Sequence, residues 1–212
     1  MKKFKALLVV ACALLLVAAS VFGTMAYLTS MDTVTNTFTV GKVAIKLDEA
    51  QANTDGSLVE GAARVKANSY KLLPGHTYNK DPMVTVLSGS ESSYVKMTVT
   101  FSKANELDAI FAPNGADLTS IFNGYNAGNW IAKGNTKDAT ANTRTYEFWY
   151  KEKVDAHAAD VALDALFDSI TVPGTITGTQ LATIEGMTIT VNAYAIQADG
   201  FTDADAAWAA FE

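Results

Sequence analysis

Apolar and polar residues alternate with a period of two along several stretches of the chain. Successive side chains of a β-strand point to opposite faces, so this alternation predicts half-buried strands. The apolar positions are Val84 and Val86; Val95, Met97, Val99 and Phe101; Tyr146, Phe148 and Tyr150; and Met187, Ile189 and Val191. Such alternation is typical of antiparallel sheets with one solvated face. We therefore expect a mainly β protein, folded as a jelly-roll-like antiparallel β-sandwich with a few helical decorations.

The alternation changes phase near residue 41. Apolar positions are even-numbered up to Val40 and odd-numbered from Val43 onward. A one-residue slip moves every later side chain to the other face, which indicates a bulge or a corner, and glycine permits such a backbone. Residues 36–47 are therefore predicted to form two strand pieces joined by a bend at Gly41.

Other stretches depart from the strand pattern. Four apolar residues follow the i, i+3, i+4, i+7 spacing of a buried helix face: Leu163, Leu166, Phe167 and Ile170. The C-terminal sequence FTDADAAWAAF offers Thr202 as an N-cap and Asp205 three residues later. It predicts a short C-terminal helix that turns Trp208 and Phe211 inward. Residues 112–143 are rich in Asn, Gly, Asp and Thr, which predicts long surface loops.

The N-terminus has the order of a secretory signal peptide. Three lysines precede an apolar stretch over residues 6–22, and small residues follow it. We expect residues 1–26 to be a signal peptide and residues 27–212 to form a single secreted domain. Two alternatives are a retained membrane anchor and a lipoprotein cut at Cys12.

Loss of this leader would change both the cysteine content and the charge. The only cysteine lies within it, so the mature chain would owe nothing to disulfides. Its three lysines would also leave, which moves the formal net charge from −6 to −9. An acidic secreted surface argues against nucleic acid as a partner.

Catalytic motifs are scarce. The two histidines, His76 and His157, belong to no HExxH motif and have no second histidine at metal-ligand spacing. The chain also has no GxSxG elbow and no phosphate-binding glycine-rich loop. We therefore predict no enzyme, no catalytic residue, no bound metal and no cofactor.

A cluster of aromatic residues raises one alternative. Tyr146, Phe148, Trp149 and Tyr150 lie close together in the sequence and could form a sugar-binding face. At strand spacing, such residues are more often core on one side and a surface belt on the other. A cell-surface carbohydrate-binding module is therefore kept as an alternative.

Three stretches carry a resemblance to a known family. They are GTMAYLTSMDTVTNTFTVGKVAIKLDEA at residues 23–50, LLPGHTYNKDPMVTVLSGSESSYVKMTV at 72–99 and ITVNAYAIQADGF at 189–201. Together they resemble the TasA/camelysin family, whose members carry SipW-type signal peptides.

The resemblance implies a processing site and a function. A SipW-type signal peptidase would cut after Ala26 and leave Tyr27 as the mature N-terminus. The protein would be a secreted matrix protein that assembles into biofilm fibres on Gram-positive cells. The resemblance also brings a rival, because camelysin-like members are described as cell-surface metalloendopeptidases.

The mature N-terminus has the composition of a donated strand. Leu28, Met31 and Val34 are apolar among threonines, and residues 27–35 contain neither glycine nor proline. Exposed sheet edges accept such segments through backbone hydrogen bonds, and head-to-tail addition produces open filaments. The predicted partners are other copies of the chain, the signal peptidase, and other matrix proteins or the cell wall. The alternative is that residues 27–35 form a tail or an edge strand of their own subunit.

Overall fold

The computed structural model describes residues 2–25, 41–111 and 121–211, with the backbone alone for 17–25. The chain divides into two compact units, Met1–Val40 and Gly41–Glu212. The elements are α1 (Lys2–Met25), β1 (Ile45–Asp48), β2 (Thr77–Asn79), β3 (Met83–Val86), β4 (Ser93–Ser102), α2 (Ala104–Phe111), β5 (Phe122–Asn123), β6 (Trp130–Asp138), β7 (Thr143–Tyr150), β8 (Val161–Ala162), β9 (Ser169–Thr171), α3 (Gly178–Thr183), β10 (Ile189–Gln197) and α4 (Ala204–Ala209).

The strands of the second unit form three sheets in the described residues. Their strand orders are β1-β3-β8, β10-β4-β7-β6 and β2-β9-β5. Every pair between these strands is antiparallel. The expectation of a mainly antiparallel β fold with a few short helices is therefore confirmed.

Strand β4 shows why the predicted alternation holds. Its residues alternate between buried and half-buried along the whole strand, with Val95, Met97, Val99 and Phe101 on the buried side. One face therefore contributes to the core, as the period of two predicted. Strands β3 and β7 likewise cover their predicted stretches, and β10 covers Ile189 and Val191 but begins after Met187.

The hydrophobic core draws side chains from all three sheets. Phe122 of β5 stacks on Phe167 with ring centroids 4.1 Å apart, and Phe101 of β4 lies 5.9 Å from Phe122. These aromatic contacts join the sheet β2-β9-β5 to the four-stranded sheet.

The helix that the spacing of Leu163, Leu166, Phe167 and Ile170 predicted, in a segment opening near Asp155, is wrong. β8 ends at Ala162, β9 begins at Ser169, and the residues between them are not helical. The backbone N–H groups bond to other elements instead: Leu163 donates to Val84 and Leu166 donates to Pro82. The four apolar residues are buried all the same, so their spacing reflects contact with the core rather than a helix face.

The loop predicted over residues 112–143 is wrong in its second half. Residues 112–120 lie outside the described residues, but β5 and the nine-residue β6 follow them. Only Trp130 is buried in β6, so its exposed residues carry no apolar alternation. The short helices α2 and α3 were also not predicted.

The C-terminal helix is confirmed, with two corrections. The N-cap of α4 is Asp203 rather than Thr202, because the Asp203 side chain accepts a hydrogen bond of 2.8 Å from the Ala206 N–H. Trp208 points inward and is 4% exposed, whereas Phe211 is 42% exposed. The expectation that both aromatic residues turn inward is therefore half right.

The N-terminal unit contains α1, whose described side chains are exposed. Within the described part of the chain, no helix has the length and apolar character needed to cross a membrane. The predicted signal-peptidase site, Ala26 and Tyr27, lies outside the described residues. So do the strand residues Leu28, Met31 and Val34.

Gly41 is the first described residue of the second unit. A β-carbon at this position would lie 2.8 Å from Cγ of Glu91, so the close approach of that side chain favours glycine. Strand β1 begins later, at Ile45. The first predicted strand piece, residues 36–40, lies outside the described residues, and the bend at Gly41 stays a prediction.

Candidate functional site

The four-stranded sheet has β10 at one edge. Ser102 donates its N–H to the carbonyl of Thr188, and Ala198 donates to Ser92, at the two ends of the β10–β4 pair. Hydrogen-bonded residues alternate in an antiparallel ladder. The even-numbered residues of β10 therefore bond to β4, and the N–H and C=O groups of the odd-numbered ones point to the free side. They are those of Ile189, Val191, Ala193, Ala195 and Gln197.

The sequence of β10 carries none of the features that usually protect an edge strand. Its sequence, ITVNAYAIQ, contains no charged residue, no proline and no glycine. No other described element donates a backbone hydrogen bond to the outward groups or accepts one from them. Natural proteins normally protect a sheet edge with charges, proline, bulges or a covering segment.

A groove runs beside the first half of this edge. Two adjoining cavities of about 840 and 360 Å³ form it. Both are lined by Ile189 and Thr190 of β10 and by Asn68 and Lys80 opposite them. The first half of the free side of β10 therefore faces this groove, and β1 packs close to it across the smaller cavity.

Apolar side chains line the larger cavity. They include Tyr70, Leu72, Leu181 and Met187. Leu181 is placed by α3, whose first turn has a capping box in which Thr177 and Gln180 each bond to the other's backbone N–H. The groove thus offers hydrophobic contact next to free backbone hydrogen-bonding groups.

An arginine holds the opposite wall in place. Arg64 donates to the Asp48 carboxylate at 2.6 Å and to the Asp81 carboxylate at 2.7 Å. Burial opposes ionisation of Asp48, but the hydrogen bonds from Lys46 and Arg64 outweigh it and lower the pKa of this carboxyl. The ion pairs fix the segment after β1 against the loop that precedes β3.

A second ion pair lies deeper in the same wall. Lys80 Nζ lies 2.6 Å from Glu49 Oε2, and the two residues are 8% and 6% exposed. Asn68 donates to the other oxygen of Glu49 at 2.9 Å. Burial and the charge of Glu49 raise the pKa of Tyr70, which also lines the larger cavity.

The opposite edge of the sheet, β6, is built differently. Its sequence, WIAKGNTKD, contains Lys133, Lys137 and Asp138. The register with β7 shifts between Ala132 and Gly134, and Gly134 has φ of +122°. A bulge and charged residues are two of the devices that prevent edge pairing.

The candidate residues for other functions do not come together. His76 and His157 are both exposed, and each lies in a different loop. Within residues 2–25, 41–111 and 121–211, no group of three or more His, Cys, Asp or Glu side chains is placed to hold a metal ion.

The predicted aromatic cluster divides between two faces. Tyr146 and Phe148 are buried in the core, as their strand spacing favours. Trp149 faces the other way, where Lys133 Nζ lies 3.8 Å from its ring centroid and Trp208 of α4 lies 6.1 Å away. The indole of Trp149 is thus already in contact with two side chains on the face that a sugar would have to reach.

The groove was not found from the sequence. The uncharged pattern of β10 is a usable signal, because it shows an edge strand without protection once its place in the sheet is known. Its opposite wall gives no such signal, since Glu49, Asn68 and Lys80 are brought together only by the fold.

Fold and groove together define a mainly antiparallel β protein whose four-stranded sheet ends in an uncharged edge strand, β10, beside a groove. Comparison with protein-family models, curated proteins and solved structures gave no significant match. The resemblance to the TasA/camelysin family accordingly stays a prediction.

Proposed function

We propose that the protein is a secreted subunit or accessory of an extracellular fibre, of the kind formed by the TasA/camelysin family. Its second unit would be a jelly-roll-like β-sandwich. Assembly would follow removal of residues 1–26, when the new N-terminus of one copy adds as a strand to the next. The observation that carries this proposal is the uncharged free edge of β10 beside an open groove.

The predicted donor segment suits this edge. Residues 27–35 and β10 each contain nine residues, and neither contains glycine or proline. Leu28 and Val34 are six positions apart, so they would share one face of an extended strand. Backbone hydrogen bonds would supply affinity, and alternate side chains entering the groove would supply specificity.

The proposed contact leads to a filament. Donor and acceptor are different surfaces of one chain, so the contact is head-to-tail and each added copy presents a new donor. An uncut leader would keep the donor attached to the segment that precedes it. Cleavage after Ala26 by a SipW-type signal peptidase would therefore permit assembly. Other matrix proteins or the cell wall are further partners of the same proposal.

Two versions of the chain test this function. Residues 27–212 should form filaments that are visible by negative-stain microscopy and light scattering, whereas residues 36–212 should stay monomeric because they lack the donor. The shorter version keeps the acceptor edge, so a substoichiometric amount added to the longer one should shorten its filaments. Monomers from both versions, or filaments from both, would contradict the proposal.

A further inference from the structure

Three side chains with complementary chemistry meet in the groove wall. The two oxygens of the Glu49 carboxylate hold two different nitrogens: Lys80 Nζ at 2.6 Å and Asn68 Nδ2 at 2.9 Å. One carboxylate therefore binds a primary amine through one oxygen and a side-chain amide through the other. It also contacts both nitrogens whose protons would have to move in a reaction between them.

Lys80 and Glu49 are held together away from water. Lys80 and Glu49 are among the few charged residues that are buried within the described part of the chain. Lys80 Nζ lies 2.6 Å from Glu49 Oε2, so transfer of one proton across this contact would give a neutral amine. A neutral amine is the nucleophilic form of lysine.

The amide of Asn68 is held by hydrogen bonds at both its oxygen and its nitrogen. Its Oδ1 accepts a hydrogen bond of 2.9 Å from the backbone N–H of Ala52. A fixed N–H donor at this oxygen would stabilise the negative charge that develops when a nucleophile adds to the amide carbon. Nδ2 is held by Glu49 and by the carbonyl of Ala50 at 2.8 Å. The leaving nitrogen thus already contacts the group that would protonate it.

We propose that Lys80 and Asn68 become joined by an intramolecular isopeptide bond, with Glu49 as the acid and base. Glu49 takes a proton from Lys80 Nζ, and the neutral amine attacks Cγ of Asn68. The Nζ–Cγ bond forms and the Cγ–Nδ2 bond breaks. Glu49 gives the first proton to Nδ2, which leaves as ammonia. Glu49 then takes the second proton from Nζ and passes it to the ammonia. The products are a secondary amide and an ammonium ion, and the carboxylate of Glu49 is restored.

The bond would reinforce one wall of the groove. It would tie residue 68, in the segment after β1, to residue 80, in the connection between β2 and β3. Both residues line the two cavities beside β10, and the larger cavity offers ammonia a way out. The inference does not depend on fibre assembly, because the reaction needs only the folded second unit.

Mass spectrometry of the purified full chain tests the proposal. The expected intact mass is that of the sequence less one ammonia. Trypsin should fail to cut after Lys80, because an acylated lysine is not a substrate. The digest should contain residues 67–71 joined to residues 72–96. An unmodified mass together with normal cleavage after Lys80 would overturn the proposal without any variant.

Substitutions separate this bond from cyclisation of Asn68 onto its own backbone, which also releases ammonia. Lys80→Arg keeps the positive charge but should restore the full mass, as should Asn68→Ala and Glu49→Gln. Lys66→Arg is the matched control, because Lys66 lines the smaller cavity without contacting Glu49, and it should keep the ammonia loss. Ammonia loss that persists in Lys80→Arg would overturn the proposal in favour of backbone cyclisation.

Discussion

The two edges of the four-stranded sheet, β6 and β10, are each nine residues long but differ in composition. β6 contains two lysines, an aspartate and a bulge at Gly134, whereas β10 contains no charge, proline or glycine. Both strands present unpaired backbone groups, so both meet the same physical hazard of pairing with another chain. The difference supports the proposal that another copy pairs with β10, whereas the charges and bulge of β6 keep it from pairing.

The ion pairs near the two edges follow the same contrast. Asp48 binds Lys46 and Arg64 in the wall that faces β10, and Asp108 of α2 binds Lys137 of β6 and Arg144 of β7. The Asp48 side chain is 3% exposed, whereas that of Asp108 is 24% exposed. The more deeply buried network is therefore the one that shapes the groove.

The largest loss of stability should come from proline in β10. The loss should depend on whether the replaced N–H faces β4, at even-numbered residues, or the free side, at odd-numbered ones. The N–H of Thr190 bonds to β4, so Thr190→Pro should lower the free energy of unfolding by about 3 kcal/mol. The N–H of Ala193 faces the free side, so Ala193→Pro should cost less than about 1 kcal/mol. Urea unfolding of the two variants measures the difference. Equal losses would show that the free side of β10 has been assigned wrongly.

The same Ala193→Pro variant tests whether assembly uses this edge. It should stop filament formation by residues 27–212, because it removes the backbone N–H of residue 193 and places a proline ring where the added strand would lie. Ala132→Pro is the matched control, since Lys151 donates to the Asn129 carbonyl and the alternation then turns Ala132 to the free side of β6. Light scattering should show normal assembly for this control. Loss of assembly in both variants would remove the distinction between the edges.

Replacement of each aspartate by asparagine should show that the more deeply buried ion-pair network contributes more to stability. Asp48→Asn should lower the free energy of unfolding by about 2 kcal/mol, because it leaves part of Arg64 without its charged partner. Asp108→Asn should cost about 1 kcal/mol, since that pair is more solvated. Thermal and urea unfolding at pH 7 give both values. A larger loss from Asp108→Asn would contradict the ranking.

Acid should reduce the effect of the Asp48 substitution. The folded-state pKa of Asp48 is lowered from 3.8, because the hydrogen bonds from Lys46 and Arg64 outweigh burial. The stability that its ionisation contributes is therefore complete above pH 3.8 and is lost as the pH falls through the folded-state pKa. The stability difference between wild type and Asp48→Asn should be constant from pH 7 to about pH 5 and shrink below about pH 4. A difference that grows on acidification would contradict this sign.

The smallest effect concerns two tryptophans that differ in hydrogen bonding. Trp130 of β6 donates its Nε1–H to the carbonyl of Asp164 at 3.0 Å, whereas the buried Nε1 of Trp208 has no hydrogen-bond partner. Trp130→Phe should therefore cost about 1 kcal/mol more than Trp208→Phe, because it leaves a carbonyl unpaired. Comparison of the two melting curves measures this difference, and a larger cost for Trp208→Phe would contradict it.

Sequence reasoning succeeded where local pattern and tertiary contact agree. The alternation in β4 and β7 reports one buried face, and the C-terminal cap signal placed α4 to within a residue. It failed over residues 163–170, where four buried residues happen to have helical spacing while the backbone bonds to β3 and its neighbours. It also missed β6, since an exposed and charged edge strand has no apolar face to detect.

The candidate site was beyond sequence reasoning for a different reason. A free edge is a property of sheet order, and nothing in ITVNAYAIQ states that this strand is the last in its sheet. The groove wall depends on Glu49, Asn68 and Lys80, which lie up to 31 positions apart and meet only after folding. The donor segment, by contrast, is predicted from its composition together with the family resemblance, and it stays a prediction.

Amide hydrogen exchange shows whether the free side of β10 is the place where a donated strand binds. The protein of residues 36–212 would be measured by NMR with and without a synthetic peptide of residues 27–40. We expect the outward amides of Ile189, Val191 and Ala193 to exchange at least about tenfold more slowly when the peptide is bound, while the amide of Ala132 is unchanged. Unchanged exchange at β10 under saturating peptide, or protection at β6 instead, would show that β10 is not the acceptor edge.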